Sequence, residues 1–153
     1  MWSKGLSKEQ VSVTRIQLPG LWPGGEDFLS PWLVTLKNGE SVNILIDPGP
    51  TASIPDLAKA LRNLQITNLD WIFLTHIHID HAGGVGSLLN LFPSAKVLVH
   101  HKGKQHLVNP DKLWQGSIAT LGTLAEAYGE IDPVPEEALV DASTITGDIL
   151  SFT

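Results

Sequence analysis

The ten residues Thr75-His76-Ile77-His78-Ile79-Asp80-His81-Ala82-Gly83-Gly84 constrain this chain more than any other stretch. Three imidazoles and a carboxylate fall between positions 76 and 81, directly after the apolar run Trp71-Ile72-Phe73-Leu74. On a helix, residues two apart point to different sides, so His76 and His78 could share an ion only where the backbone is extended or turning. Trp71 to Thr75 reads as a buried strand, with β-branched and aromatic residues giving way abruptly to polar ones. The motif therefore hangs from a strand end. Behind it, Gly83-Gly84 permit backbone angles that other residues resist, and Val85, Leu88, Leu89 and Phe92 at helical spacing open a helix. With this composition, H-x-H-x-D-H arises by chance in about one chain in two thousand. Four such groups crowded together without a common partner would repel or stay unpaired. The pattern points to a metal site.

Composition narrows what that site can be. The chain has no cysteine, so disulfides and thiolate ligands are excluded and a metal must be held by nitrogen and oxygen. A length of 153 residues, with 42% apolar and 17% charged residues, fits one folded domain over residues 1–153. The net charge of −6 and the lack of a Lys/Arg cluster argue against a nucleic-acid surface. Met1-Trp2-Ser3-Lys4-Gly5 lacks the apolar core of a signal peptide, and no run approaches membrane-spanning length. The expectation is a soluble, cytoplasmic protein with a small-molecule substrate.

Along the chain, Val11, Val13, Ile16 and Leu18 suit a first strand closed by Pro19-Gly20, and Pro23-Gly24-Gly25-Glu26-Asp27 marks a loop. Trp32–Leu36 and Ser41–Ile46 flank Lys37-Asn38-Gly39-Glu40, whose Asn-Gly is a strong hairpin signal. The second of these strands delivers Asp47 to its end. Ile54, Leu57, Ala58, Leu61 and Leu64 repeat at helical spacing, with Pro55 in the first turn and Ser53 placed to cap it. Strand, helix and strand in that order form a crossover unit, which puts the histidine motif at a carboxyl edge. Ala95–His100 reads as another strand. Asn109-Pro110-Asp111 opens a longer helix whose buried side is marked by Leu113, Trp114, Ile118, Leu121, Leu124, Ala125 and Tyr128. Residues Thr144 to Phe152 read as turn and strand. Strands alternating with helices give an α/β layered fold. Trp2, Trp22 and Trp32 are expected as core or loop anchors, with Trp22 a weak candidate to overhang a substrate.

The loop Thr75-His76-x-His78-x-Asp80-His81 followed by Gly83-Gly84 resembles the signature of the metallo-β-lactamase superfamily. Upstream, Leu45-Ile46-Asp47-Pro48-Gly49 is similar to that family's strand-end Asp motif. The resemblance runs from about Val11 onward in order and spacing, and it sharpens the fold to the N-terminal half of an αββα four-layer sandwich. Carried over residue by residue, it implies that His76 and His78 hold one ion, that Asp80 and His81 hold a second, and that Asp80 belongs to the catalytic machinery. Asp47 would lie beside the site and orient the ligand loop by hydrogen bonds, and Thr75 would be a structural hydroxyl. Zinc suits these donors, with two ions in the complete protein; iron and manganese are compatible with the same set. A pair of ions would activate water and polarise a carbonyl or phosphoryl oxygen without a protein nucleophile.

The resemblance also implies what the chain lacks. The family's remaining ligands come from a C-terminal half with no counterpart here. Asp148 in Thr146-Gly147-Asp148 is a poor fit to the bridging Asp, because no preceding His stands in the expected segment. His100, His101 and His106 match no family ligand position and read as surface or hydrogen-bonded residues. Two protein ligands per ion fall short of the usual three or four. The chain is therefore expected to be an incomplete domain, completed by a complementary C-terminal half or by homo-oligomerisation. The function implied is hydrolysis of small esters, thioesters or lactones, extending to β-lactam-like amides. The alternatives are an iron-dependent oxidoreductase of the same superfamily and a noncatalytic half-domain that binds metal or a partner.

Overall fold

The structure, a computed structural model, describes residues 10–145, with the side chain of Asn38 left aside. One six-stranded sheet runs β1 (Val11–Arg15), β2 (Trp32–Asn38), β3 (Glu40–Ile46), β4 (Trp71–Phe73), β5 (Lys96–Val99) and β6 (Leu139–Asp141), in spatial order identical to sequence order. β1, β2 and β3 pair antiparallel, whereas β3 to β6 pair parallel. The change of direction follows from the connections. Gly39, at φ +87°, turns β2 straight into β3, while each parallel step needs a crossover of helix. These crossovers are α1 (Ile54–Asn63), then α2 (Ile79–Ala82) with α3 (Val85–Leu91), then α4 (His101–Val108), α5 (Asp111–Leu121) and α6 (Thr123–Tyr128).

The main core lies on one face of the sheet, although Val34 and Ile44 on the other face are also buried. The register aligns Leu33, Leu45, Ile72, Val97 and Leu139 across five strands. All five belong to the cluster that contains Ile54, Leu57 and Leu61 of α1, Val85 and Leu88 of α3, and Leu107 of α4. Each such side chain contributes about 1.5–3 kcal/mol of burial. The alternate row, Trp32–Ile46–Phe73–Leu98–Val140, is equally apolar, but none of its members is buried and none joins a core cluster. A parallel sheet of this kind is ordinarily covered on both faces.

Several local expectations change. Ser53 stands before α1 but makes no capping bond; its buried hydroxyl donates to the Pro50 carbonyl at 2.8 Å, because the chain is already winding through a 3₁₀ turn at Thr51–Ser53. The long helix expected after Asn109 is two helices, broken at Gly122 with φ +56°. Its apolar stripe is buried only in α6, at Ala125 and Tyr128, while α5 has no buried residue. β6 was not legible as a strand: three residues inside a Pro/Glu-rich stretch carry no period, and pairing with β5 alone makes them extended. Trp32 is 43% exposed and thus no core anchor. Trp2 and Asp148 lie outside the described residues, as does most of the strand expected up to Phe152. Among the described residues, no helix is long and apolar enough to cross a membrane.

Candidate metal centre

The centre is built where β3 and β4 run out together. Asp47 continues the ladder by donating its N–H to the Phe73 carbonyl at 2.9 Å, but its φ of +47° is left-handed. A non-glycine residue there costs of order 1 kcal/mol and is rare enough to need a reason. The reason is where the turn sends the carboxylate. Asp47 Oδ1 accepts from the Thr75 backbone N–H at 2.9 Å, Oδ2 accepts from the Thr75 hydroxyl at 2.6 Å, and Oδ2 lies 3.1 Å from His81 Nδ1. One carboxylate thus ties the start of the histidine motif to its end.

The backbone reinforces that tie. Gly49 donates to the His81 carbonyl at 3.0 Å, Gly84 donates to the Gly49 carbonyl at 2.9 Å, and the Thr51 hydroxyl donates to the Gly83 carbonyl at 3.0 Å. Gly84 is required by proximity and not by its backbone angles, which are ordinary for any residue at φ −85° and ψ 1°. A Cβ there would lie 2.4 Å from Ile54 Cδ1 and 2.9 Å from the Gly49 oxygen. The motif is extended through His76-Ile77-His78 and turns helical at α2, so Asp80 and His81 sit on a helical turn and not in a loop. Ile77 packs against the main core and Ile79 is buried in a second cluster with Ala125, Tyr128 and Ile131. These two isoleucines anchor the segment while the residues between and beside them face outward.

Contacts link the four expected ligands, but of these only His76 and His81 join the group whose donor atoms could share an ion, and its third member is Asp47. The His76 ring lies 4.8 Å from that of His78 and 4.1 Å from that of His81, centroid to centroid, and His81 Nε2 is 3.5 Å from Asp80 Oδ2. Donor atoms of Asp47, His76 and His81 come within 4.8 Å of one another. The hydrogen bonds fix which imidazole nitrogens are free. Thr75 gives its proton to Asp47 Oδ2, so at 2.8 Å from His76 Nδ1 its oxygen must accept from that nitrogen. His81 Nδ1 likewise donates to Asp47. In the neutral form of either ring, these bonds put the proton on Nδ1 and leave Nε2 as the nitrogen that can ligate a metal. The Asp47 carboxylate, already accepting at both oxygens, acts as the organiser of this set.

Electrostatics favour an uncharged His76. His76 is held below its ordinary imidazole value of 6.5, first by lost solvation inside the cluster although one edge stays exposed, then by His81 and His78, with Asp47 and Asp80 opposing. Its neutral form, the one that binds a metal, is favoured. A set of imidazoles and carboxylates converging on one surface fits a divalent ion with nitrogen and oxygen preference.

Beside the centre runs a cleft of about 560 Å³, reached by His78 and Asp80. Its far wall is α5, and it also takes in Phe28, His106 and Tyr128. Reading the Leu113–Tyr128 stripe as uniformly buried hid this wall; the glycines at 116 and 122 were the available sign that α5 is not a core helix. Trp22 stacks obliquely on Phe28 and Tyr128, at 5.6 and 5.9 Å, and so fastens the 19–31 loop to α6. Burial, and to a lesser degree the negative charge of Asp80, raise the Tyr128 hydroxyl above its ordinary value. His100 and His101 stack on each other at 4.1 Å, and His101 Nδ1 is 3.9 Å from Asp141; neither is in the Asp47–His76–His81 group.

Comparison with known proteins follows the same lines. Residues 24–153 match the family model of the metallo-beta-lactamase superfamily. A metallo-beta-lactamase fold-containing protein, ST1585, of Sulfurisphaera tokodaii is 37% identical over 112 residues, which cover 71% of this chain and 40% of that protein. The hydroxyacylglutathione hydrolase of Salmonella typhi is 35% identical over 85 residues, covering 53% of this chain and 32% of that enzyme. Among solved structures, the archaeal protein ST1585 superposes with a TM-score of 0.62 at 27% identity, covering 83% of this chain and 47% of that one. MEM-A1, a subclass B3 metallo-beta-lactamase from a soil metagenome library, superposes at 0.57 and 26%, covering 92% and 46%. The chain spans less than half the length of each. Its mixed sheet with crossover helices, its strand-end Asp and its histidine motif join these matches in one conclusion: the chain belongs to the metallo-β-lactamase superfamily.

Proposed function

We propose that the chain carries the N-terminal ligands of a metal-dependent hydrolase acting on small esters, thioesters or lactones. The observation that carries this reading is the relay from His76 Nδ1 through the Thr75 hydroxyl to Asp47, shared with His81 Nδ1. It leaves both Nε2 atoms out of the hydrogen bonds to Thr75 and Asp47, and no core-packing need explains an αL Asp placed to do so. In this reading His76 and His78 hold one ion, Asp80 and His81 hold a second, and zinc is the expected metal, with iron or manganese the alternatives. Bound ions would supply Lewis acidity and bring the pKa of water toward neutrality. Asp80, which borders both His81 and the cleft, positions water and substrate at their meeting point. The similarity to a hydroxyacylglutathione hydrolase and to a B3 metallo-beta-lactamase supports hydrolysis.

The same proposal includes a partner. Two ligands per ion need completion, and the uncovered row Trp32–Ile46–Phe73–Leu98–Val140 lies on the same sheet. A complementary segment, carrying the remaining ligands and a second sheet, would satisfy both needs; the length of the matched relatives supports this over a second copy of the chain. Metal analysis together with ester hydrolysis and oxygen-uptake assays, on the chain alone and mixed with such a segment, tests the proposal. Hydrolysis that falls by orders of magnitude in His76→Ala and Asp80→Ala, with circular dichroism unchanged, is the expected result. Iron with oxygen uptake and no hydrolysis would instead make the protein an oxidoreductase, and a fully active double variant would remove the site altogether.

A further inference from the structure

One residue in the wall of the cleft stands where the fold does not ask for it. Gly116 lies at the middle of α5, and glycine is the poorest helix former after proline. A helix keeps such a residue for a left-handed backbone angle or for close packing. Gly116 has neither: it is absent from the positive-φ glycines, and a Cβ there would meet no atom of the described residues within 4 Å. At Gly84 and Gly86, by contrast, a Cβ would collide with Ile54 and with the Asp132 backbone. Lys112, Leu113 and Thr120, three or four residues away on the same helical face, line the cleft together with Gly116. The space above Gly116 therefore belongs to the cleft, which also takes in His78 and Asp80. The hydroxyls of Ser117 and Thr120 turn back on the helix, donating to the Leu113 and Gly116 carbonyls at 2.8 Å each.

We propose that Gly116 is a specificity-determining residue: its lack of a side chain gives the cleft the width to take a bulky group on one flank of the bond that reacts at His78 and Asp80. The inference rests on the hydrolase reading for the class of that bond, an ester, thioester or lactone. Polarity of the lining does not choose among such ligands, since Leu113 and Leu121 share it with His106, Lys112 and Thr120. Width is what position 116 controls. A volume of about 560 Å³ is of small-molecule size, and a branched side chain at 116 would occupy part of it. Packed walls yield little, so a side chain that overlaps a fitted group weakens its binding steeply. Filling position 116 thus makes the helix more stable and the cleft less accommodating. A glycine serving the fold alone would not show those two effects with opposite signs.

The test follows three esters on the isotope-labelled chain without added metal, so that none is turned over. They are methyl acetate, phenyl acetate, which is bulky on the alcohol flank, and methyl benzoate, which is bulky on the acyl flank. Binding is read from the amide resonances of Gly116, Ser117 and Thr120. Gly116→Leu should weaken one or both aromatic esters about tenfold or more, and methyl acetate about twofold or less. Gly116→Ala should raise the midpoint of thermal unfolding by about 2–4 °C, and Gly116→Leu should not lower it. Aromatic-ester affinities that Gly116→Leu leaves unchanged, or amides that respond to no ester, would overturn the inference. So would a lower midpoint in Gly116→Ala, which would make the glycine a packing residue, or weaker association of Gly116→Leu with a complementary segment, which would make it an interface residue. The two readings fail separately: size selection in binding without ester hydrolysis by the completed, metal-loaded protein retains the width set by Gly116 and removes the hydrolase, whereas hydrolysis without size selection does the reverse.

Discussion

The two faces of the sheet are built from the same kinds of residue and have different fates. Leu33, Leu45, Ile72, Val97 and Leu139 point one way and are buried under α1, α3 and α4, whereas their neighbours Trp32, Ile46, Phe73, Leu98 and Val140 point the other way and stay at least partly exposed. Side-chain chemistry does not distinguish the rows; what lies over them does. A strand with both faces apolar is the signature of a sheet covered twice, so the composition of β4 and β5 anticipates a layer that the described residues do not provide. The candidate metal centre sits at the carboxyl edge where these faces meet.

The contrast can be broken by substitution. Ile72→Ala, beneath the helices, should cost about 2–5 kcal/mol of unfolding free energy in urea. A loss below 1 kcal/mol would mean that the closed face is not the core. At the edge, Asp47→Asn keeps a side chain that tolerates the left-handed turn but removes the charge holding Thr75 and His81. Metal affinity should fall about 10- to 100-fold with thermal stability little changed; an unchanged affinity would make Asp47 a mere turn residue. Leu98→Ala, on the open face and next in sequence to Val97, should cost about 1 kcal/mol or less in the chain alone. A cost as large as that of Ile72→Ala would show the open row to be already covered, and a cost that appears only on mixing with a complementary segment would identify what covers it.

The smallest effect is expected at the sheet's outer strand. Asp141 ends β6, which contributes Leu139 to one face and Val140 to the other. The Ser143 backbone N–H chiefly, with smaller help from the Ser143 side chain and His101 and against some desolvation, holds the Asp141 carboxyl below its ordinary 3.8. A depressed carboxylate adds stability that is fully present above 3.8 and is lost as pH falls through the lower folded value. Asp141→Asn should therefore flatten the acid end of the stability curve and leave the region near neutrality almost unchanged. An unaltered acid limb would show that the bond to Ser143 contributes nothing.

Much of this molecule was legible before folding. The H-x-H-x-D-H spacing after an apolar strand located the histidine cluster at a strand end, the Asn-Gly pair gave the β2–β3 turn, and the Ile54–Leu61 stripe gave α1, because each signal lies within a few residues and depends on local periods or turn angles. What depended on distant contacts was not legible. Ser53 looked like a helix cap until the preceding 3₁₀ turn diverted its hydroxyl to Pro50, and β6 became a strand only through its partner β5. The stripe from Leu113 to Tyr128 looked like one buried face until Gly122 broke it and left α5 beside the cleft.

The sequence by itself thus determined the donor types, their location at a strand end and the alternation of strands with helices, since those follow from residue identity and local spacing. Only the tertiary structure decided that Asp47 reaches 28 residues along the chain to Thr75 and a little further to His81, setting both imidazoles by one carboxylate. It also decided which of two equally apolar rows is buried. Proximity between segments far apart in the chain has no local period to announce it; it comes into being when the parallel crossovers bring the strand ends side by side.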